Sequence, residues 1–311
     1  MEQVVFEVET RQARLDLFLA DHFPALSLTR IRRAIAEGGA LLNGSRVTAG
    51  WRLLPGDRVS WDLIADEPTA TTPEPIPVEI LREDDDLIVV NKQAGLLTHP
   101  SRAEKSGALT NALAYHFQQT GQAGVRPGLI HRLDRDTSGL MVVAKNARSH
   151  RILAKAFRQR RVEKRYLALV HGEVELEVGQ VEAPIGRDPE TWPRWQVLEG
   201  GRPAQTRYQV RERLRGHTLL ELEPLTGRTH QIRIHCAWIG HPLAGDGLYR
   251  SGSPSSAEPL GADDLALPHH LLHAYYLCFP HPNGAEQVEL SVPPPWLLAA
   301  SVAALRPGPA N

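Results

Sequence analysis

The stretch HRLDRDTSGLMVVAKN (131–146) opens with four charged side chains and the hydroxyls Thr137 and Ser138, then runs without a break through Leu140, Met141, Val142, Val143 and Ala144. This pattern predicts a polar turn that feeds a buried strand. Gly128 and Gly139 bracket the turn. Downstream, SHRILAKAFRQRRVEKR (149–165) carries Ile152, Leu153, Ala156 and Phe157 at helical spacing and predicts a helix, with a strand over RYLALVHG (165–172). Upstream, Leu109, Leu113 and Phe117 share one face of a helix within 106–121, and Leu87–Val90 predicts a strand entered from acids. Further strands are expected at 205–214, 217–225, 274–279 and 287–292. Many strands with few helices, not strictly alternating, predict an α+β domain on a mixed or antiparallel sheet.

A different texture precedes residue 78. RLDLFLADHF (14–23) and SLTRIRRAIAEGG (27–39) predict two short helices, the second capped by Ser27 and stopped at Gly38-Gly39. The segment 40–61 alternates apolar and polar residues around Asn43-Gly44 and Pro55-Gly56-Asp57, which predicts short strands and a hairpin. ADEPTATTPEPIP (65–77) has four prolines and neither period. It reads as an extended linker, with an ordered surface loop as the alternative. The expected division is a small module at 1–65, a linker at 66–78, a main domain at 79–300 and a tail at 301–311.

Composition narrows the function. The 311 residues are 42% hydrophobic and 23% charged, an ordinary globular balance. Two cysteines exclude a disulfide framework or a four-cysteine zinc site. The N-terminus carries acids where a signal peptide has bases, and no apolar run reaches the ~18 residues of a membrane span. A cytoplasmic monomer, off the membrane, is expected. Net charge is −1, so any affinity for nucleic acid must come from local clustering. Such clusters exist. Eight bases in 148–165, among them Arg158, Arg160, Arg161 and Lys164, face one acid, Glu163, and Arg30, Arg32 and Arg33 form a second group. Two basic surfaces suit a phosphate backbone.

Asp134 lies between Arg132 and Arg135, and opposite charge keeps a carboxylate ionised. That suits a nucleophile or base; a turn in which Asp134 or Asp136 binds backbone amides is the structural alternative. In PLTGRTHQIRIHCAWIGHPLAGDGLYR (224–250), His230 and His235 are five apart, which puts them on different faces of a helix or a strand and argues against metal ligation. Neither the dinucleotide nor the P-loop glycine pattern is present.

HRLDRDTSGL (131–140) resembles the signature of the RluA-type pseudouridine synthases. VVNKQAGLLTHP (89–100), KRYLALVHG (164–172), LTGRTHQIRIH (225–235) with GHPLAGD (240–246), and LHAYYLCFPHP (272–282) resemble the family's other motifs in the same order. Residues 14–61 resemble an S4 RNA-binding module. Gln93 stands where the family usually has proline, and Trp195 where methionine is common.

The resemblance implies that Asp134 is the essential aspartate, that Tyr166 stacks on the target base, and that Arg233 pairs with the aspartate. It further implies that Arg132 fills the gap left by a flipped nucleotide, and that Leu140 and its neighbours form the apolar side of the pocket. Three routes are open to Asp134: attack on ribose C1′, addition to C6 of uracil, or removal of a C2′ proton. The isomerisation exchanges an N1–C1′ bond for a C5–C1′ bond, with no redox change, and calls for no metal or nucleotide cofactor. The expected partner is RNA, with large-subunit ribosomal RNA as substrate and transfer RNA as the alternative. A non-catalytic RNA- or ribosome-binding protein on the same scaffold is the competing reading. A glycosidase using Asp134 and Asp136 is poorly matched to so basic a surface.

Overall fold

The computed structural model describes residues 3–9, 14–24, 26, 28–62, 72–101, 104, 106–188, 194–250, 265–284 and 286–307. Ser27, residues 63–71, which include the first part of the linker, and residues 189–193 lie outside them.

The N-terminal elements are β1 (Gln3–Glu7), α1 (Leu15–His22), α2 (Leu28–Glu37), β2 (Ala40–Leu42), β3 (Ser45–Arg46) and β4 (Arg58–Asp62). Strands β1–β4 form one small antiparallel sheet in the order β1-β4-β2-β3. Leu15, Phe18 and Leu19 of α1 and Ile31 and Ile35 of α2 pack on it around fully buried Trp61. The sequence reading assigned no element to β1, whose side chains are never fully buried.

The main domain continues with β5 (Glu79–Glu83), β6 (Leu87–Lys92), α3 (Leu109–Gln119), β7 (Gly128–Leu129), β8 (Ser138–Ala144), α4 (Ala147–Arg158) and β9 (Glu163–His171). There follow β10 (Val178–Glu182), β11 (Ile185–Arg187), β12 (Trp195–Val197), β13 (Gln205–Leu214), β14 (His217–Pro224), α5 (Gln231–Trp238), β15 (Leu272–Pro280), β16 (Gln287–Ser291) and α6 (Trp296–Leu305). A ten-stranded sheet runs β10-β13-β14-β9-β15-β8-β6-β5, with β16 beside β15 and β7 beside β8. Among the described residues its one parallel strand pairing joins β15 to β8, where His273 pairs with Ser138 and Ala274 with Gly139. The mixed sheet of an α+β domain is therefore present, and the two antiparallel halves meet where the 131–137 turn enters β8.

Every residue of β8 is buried, because helices cover both faces of the sheet. Met141 and Val143 face α3, with its Leu109, Leu113 and Phe117. Leu140, Val142 and Ala144 face the opposite way, with Leu153 of α4. Burial of each such side chain is worth about 1.5–3 kcal/mol.

Three expectations need correction. The helix of 149–165 ends at Arg158. Arg160 turns left-handed at φ 56°, and the chain re-emerges as β9 with Tyr166, Ala168 and Val170 buried at the period of a strand. The tail does not begin at 301, because α6 continues to Leu305 and buries Val302 and Leu305 in a core with Leu169 and Leu214. The described part of the linker lies on the domain as an ordered loop: Thr72 O accepts from Asn111 Nδ2 at 2.8 Å, and Glu74 N donates to Asn111 O at 3.2 Å.

Candidate active site

The polar turn at 131–137 ends in a glycine for a steric reason. Gly139 has φ +115°, and a Cβ there would stand 2.2 Å from the carbonyl oxygen of Ala274. Only glycine lets β15 approach β8 this closely. From beneath, Lys92, fully buried, donates to the carbonyls of Gln93 (3.0 Å), Leu96 (2.9 Å) and Arg135 (2.8 Å), which ties the β6 turn to the Asp134 turn. Burial pushes the Lys92 ammonium down to about 7, against the pull of Asp136 and Asp134. Thr137 Oγ1 shares a hydrogen bond with His270 Nε2 at 2.9 Å, and Ser138 Oγ with His273 Nδ1 at 2.9 Å. His131 accepts from Val142 N at 3.1 Å and stacks on Phe157. The residues around Asp134 thus hold the loop.

Asp134 looks into a cavity of about 870 Å³ that Tyr166, His230 and Arg233 also line. Tyr166 arrives from β9 at the middle of the sheet and is 8% exposed. Burial, with the Asp134 charge as a second cause, raises its phenol pKa. Arg233 projects from α5, and its Nη1 reaches Asp134 Oδ2 at 3.3 Å. Asp246 holds the rest of that guanidinium, through Nε at 2.7 Å and Nη2 at 2.9 Å. Burial works against charge on Arg233, but the Asp246 and Asp134 carboxylates outweigh it, and its pKa is raised. Arg132 Nη2 stands 3.8 Å from Asp134 Oδ1, on a side chain that is 53% exposed at the mouth.

Asp134 and Arg132 of one turn, Tyr166 of β9 and Arg233 of α5 therefore share one cavity. Arg158, Arg160 and Lys164 line it as well. Lys164 is pushed down to about 8 by burial, against the pull of Glu223. Arg161 is exposed and lies outside the lining, its Nε donating to Gln159 at 3.1 Å. Arg151, also from the basic stretch, forms a two-bond pair with Asp21 of α1 at 3.0 and 3.2 Å. Acids distant in sequence thus neutralise part of the stripe.

The α2 arginines divide similarly. Arg32 pairs at 2.7 Å with fully buried Asp16, which Arg14 also meets at 2.8 Å, and Arg33 pairs with Glu37 at 2.8 Å. Arg30 sits on the same short helix, away from the cavity lining.

Leu140 does not line the cavity, because the pleat sends it to the α4 side of the sheet; Leu133, Ile232 and Leu272 supply the apolar wall instead. Asp136 opens into a different, smaller cavity beside Lys92 and His270, so the two aspartates do not face one substrate as a glycosidase pair would.

The sequence reading missed Asp246, Tyr249, Arg207 and Arg228. Asp246 stood in GHPLAGD as a turn residue, and only the fold brings it to Arg233. Arg207, within the strand expected over 205–214, joins Arg228 on the cavity wall. Among the described residues no three His, Cys, Asp or Glu side chains group as metal ligands, and no helix is long and apolar enough to cross a membrane.

Comparison with known proteins identifies the family. The family model described as RNA pseudouridylate synthase matches residues 86–238, and that of the S4 domain matches 13–59. An uncharacterized RNA pseudouridine synthase of Aquifex aeolicus is 41% identical over 94% of each chain. The ribosomal large subunit pseudouridine synthase D of Nitrosomonas europaea is 40% identical over 94% of this chain and 84% of its own. The solved structure of human RNA pseudouridylate synthase domain containing 1 aligns at a TM-score of 0.57 and 30% identity, covering 75% of this chain and 89% of that one. The fold is that of an RNA-modifying isomerase. The chain belongs to the RNA pseudouridine synthase family, in a form that carries an S4 RNA-binding domain.

Proposed function

We propose that this enzyme isomerises specific uridines of large-subunit ribosomal RNA, in the cytoplasm and as a monomer, with Asp134 as the reacting carboxylate. Relatives named for the large ribosomal subunit support that substrate. A base inside structured RNA must leave its stack before its glycosidic bond can be reached. In this reading Arg132, at the mouth, occupies the vacated position. Tyr166, on the cavity floor, offers the face on which uracil stacks. Arg233 steadies the Asp134 charge. The bases Arg158, Arg160 and Lys164 track the backbone on either side, while Arg30, Arg32, Arg33 and Arg161 contribute a more distant field. The division into a module at 1–65, a linker at 66–78 and a catalytic domain from 79 through α6 belongs to the same reading.

The observation that carries it is the 3.3 Å contact of Arg233 Nη1 with Asp134 Oδ2 inside a cavity lined by Tyr166. The test uses large-subunit ribosomal RNA transcript tritiated at uridine C5, with transfer RNA in parallel. Wild type should release label to water from the ribosomal transcript, and Asp134→Asn should release none. Silence from both on either RNA would favour a binding protein on the same scaffold; release from transfer RNA alone would overturn the substrate.

A further inference from the structure

His230 takes part in neither the grip on Arg233 nor the basic rim, and its geometry is costly. It caps the N-terminus of α5 at φ 54°, ψ 21°, a left-handed backbone that asparagine or glycine adopts with less strain. Its ring is 19% exposed in the cavity. Nδ1 lies 2.8 Å from the Tyr249 hydroxyl, and Nε2 lies 3.9 Å from Asp134 Oδ2.

The Tyr249 hydroxyl is the hydrogen-bond partner of Nδ1. It accepts from Trp195 N at 3.3 Å, and a backbone amide can only donate. That leaves the phenolic proton free to point at His230 Nδ1, 2.8 Å away. Burial first of all pushes that phenol up to about 12, so the proton stays on Tyr249 at neutral pH. A neutral imidazole that accepts at Nδ1 carries its hydrogen on Nε2. His230 is held neutral chiefly by burial and then by Arg233 and Arg132, against the pull of Asp134 and Asp246.

We propose that His230 is a positioning residue for Asp134: its Nε2–H and the Nη1 of Arg233 converge on Oδ2 and leave Oδ1, with the Arg132 guanidinium 3.8 Å away at the mouth, turned to the nucleoside. This rests on the reading of Asp134 as the reacting carboxylate. At 3.9 Å the Nε2 contact is longer than a hydrogen bond, and contacts of this kind tighten when substrate fills a site. Tyr249 acts one step further out. It fixes the tautomer of His230, and its ring also lies 5.0 Å from the Arg233 guanidinium.

The experiment compares His230→Asn, His230→Gln and Tyr249→Phe in single-turnover label release from the tritiated ribosomal transcript, with RNA affinity measured by filter binding. Asparagine suits the left-handed backbone but reaches only as far as Nδ1, whereas the glutamine amide nitrogen can occupy the place of Nε2. His230→Asn should slow the chemical step roughly tenfold to a hundredfold with RNA affinity unchanged. His230→Gln should recover most of that loss, and Tyr249→Phe should fall between them. An active asparagine variant beside a slow glutamine variant would show a purely backbone role and overturn the proposal. A rate loss matched by lost RNA affinity would also overturn it. Wild type silent on the transcript would bring down the isomerase reading itself, an outcome distinct from an active wild type matched by His230→Asn.

Discussion

Asp246 grips Arg233 with both carboxylate oxygens, Oδ2 on Nε at 2.7 Å and Oδ1 on Nη2 at 2.9 Å, and leaves only Nη1 for Asp134. Oδ1 also accepts from the backbone of Leu248 and Tyr249, so the fork is anchored to the 246–249 turn. Burial disfavours charge on Asp246, yet Arg233 overrides it and holds its carboxyl below the ordinary range. Breaking one partner of such a buried pair costs about 3 kcal/mol or more. Asp246→Asn should therefore lower the urea midpoint and cut label release at least tenfold. Arg233→Lys should do likewise, because an ammonium cannot span both carboxylates. A fully active Asp246→Asn enzyme would mean that Arg233 needs no holding.

Gly139→Ala tests the junction of the two half-sheets. The added methyl would meet the Ala274 carbonyl at 2.2 Å on a backbone at φ +115°. Strain and overpacking together should cost about 4 kcal/mol, measured by urea unfolding of purified protein. Gly95→Ala is the comparison: its φ is +85°, but a Cβ there meets nothing within 4 Å. It should lose only the conformational part, about 1 kcal/mol. Equal losses would refute the close-approach argument.

Stability should fall as pH drops from 6.5 toward 4. His270 and His273 are held neutral by burial, each lowered to about 4. Unfolded histidine titrates near 6.5, so between those values the unfolded chain binds more protons and each group's contribution is lost as pH falls. From pH 6.5 to 5 the loss is about 2 kcal/mol per histidine. Urea titrations at pH 7 and pH 5 measure it, and a double His270→Gln, His273→Asn variant should show a shallower dependence. Since both rings hold hydroxyls of the Asp134 loop, activity should decline in the same window. An unchanged slope in the double variant would assign the acid sensitivity to other groups.

The sequence made the central strands and their helices legible because burial leaves a local mark. The run 140–144 has no polar interruption, and Leu109, Leu113 and Phe117 recur at helical spacing. The ends of elements were harder. Nothing local distinguishes Arg158 from Arg160, and α4 stops where the Arg160 backbone turns over and Tyr166 is drawn into the sheet. Motif resemblance brought Asp134, Tyr166 and Arg233 together, as the cavity does. It could not assign Leu140 to a face, because that depends on the pleat register of β8 against β6 and β15. Asp246 and the Asp21–Arg151 pair escaped notice for the same reason: ion pairs between distant segments have no period.

Arginines that look equivalent in sequence should separate under salt. Arg160 lines the cavity, whereas Arg32 is spent on buried Asp16 at 2.7 Å. A cation that neutralises a phosphate contributes about 0.7 to the slope of log affinity against log salt on single strands and about 0.9 on duplex. Arg160→Ala should flatten that slope by roughly this amount in filter binding, with the urea midpoint unmoved. Arg32→Ala leaves Asp16 with Arg14 as its remaining cation partner among the described contacts, and should destabilise the N-terminal module by roughly 1–3 kcal/mol. Its salt slope should change less than that of Arg160→Ala, since most of the Arg32 charge is already neutralised. The reverse pattern, with Arg32→Ala flattening the slope and Arg160→Ala leaving it intact, would move the main RNA contact from the cavity rim to α2.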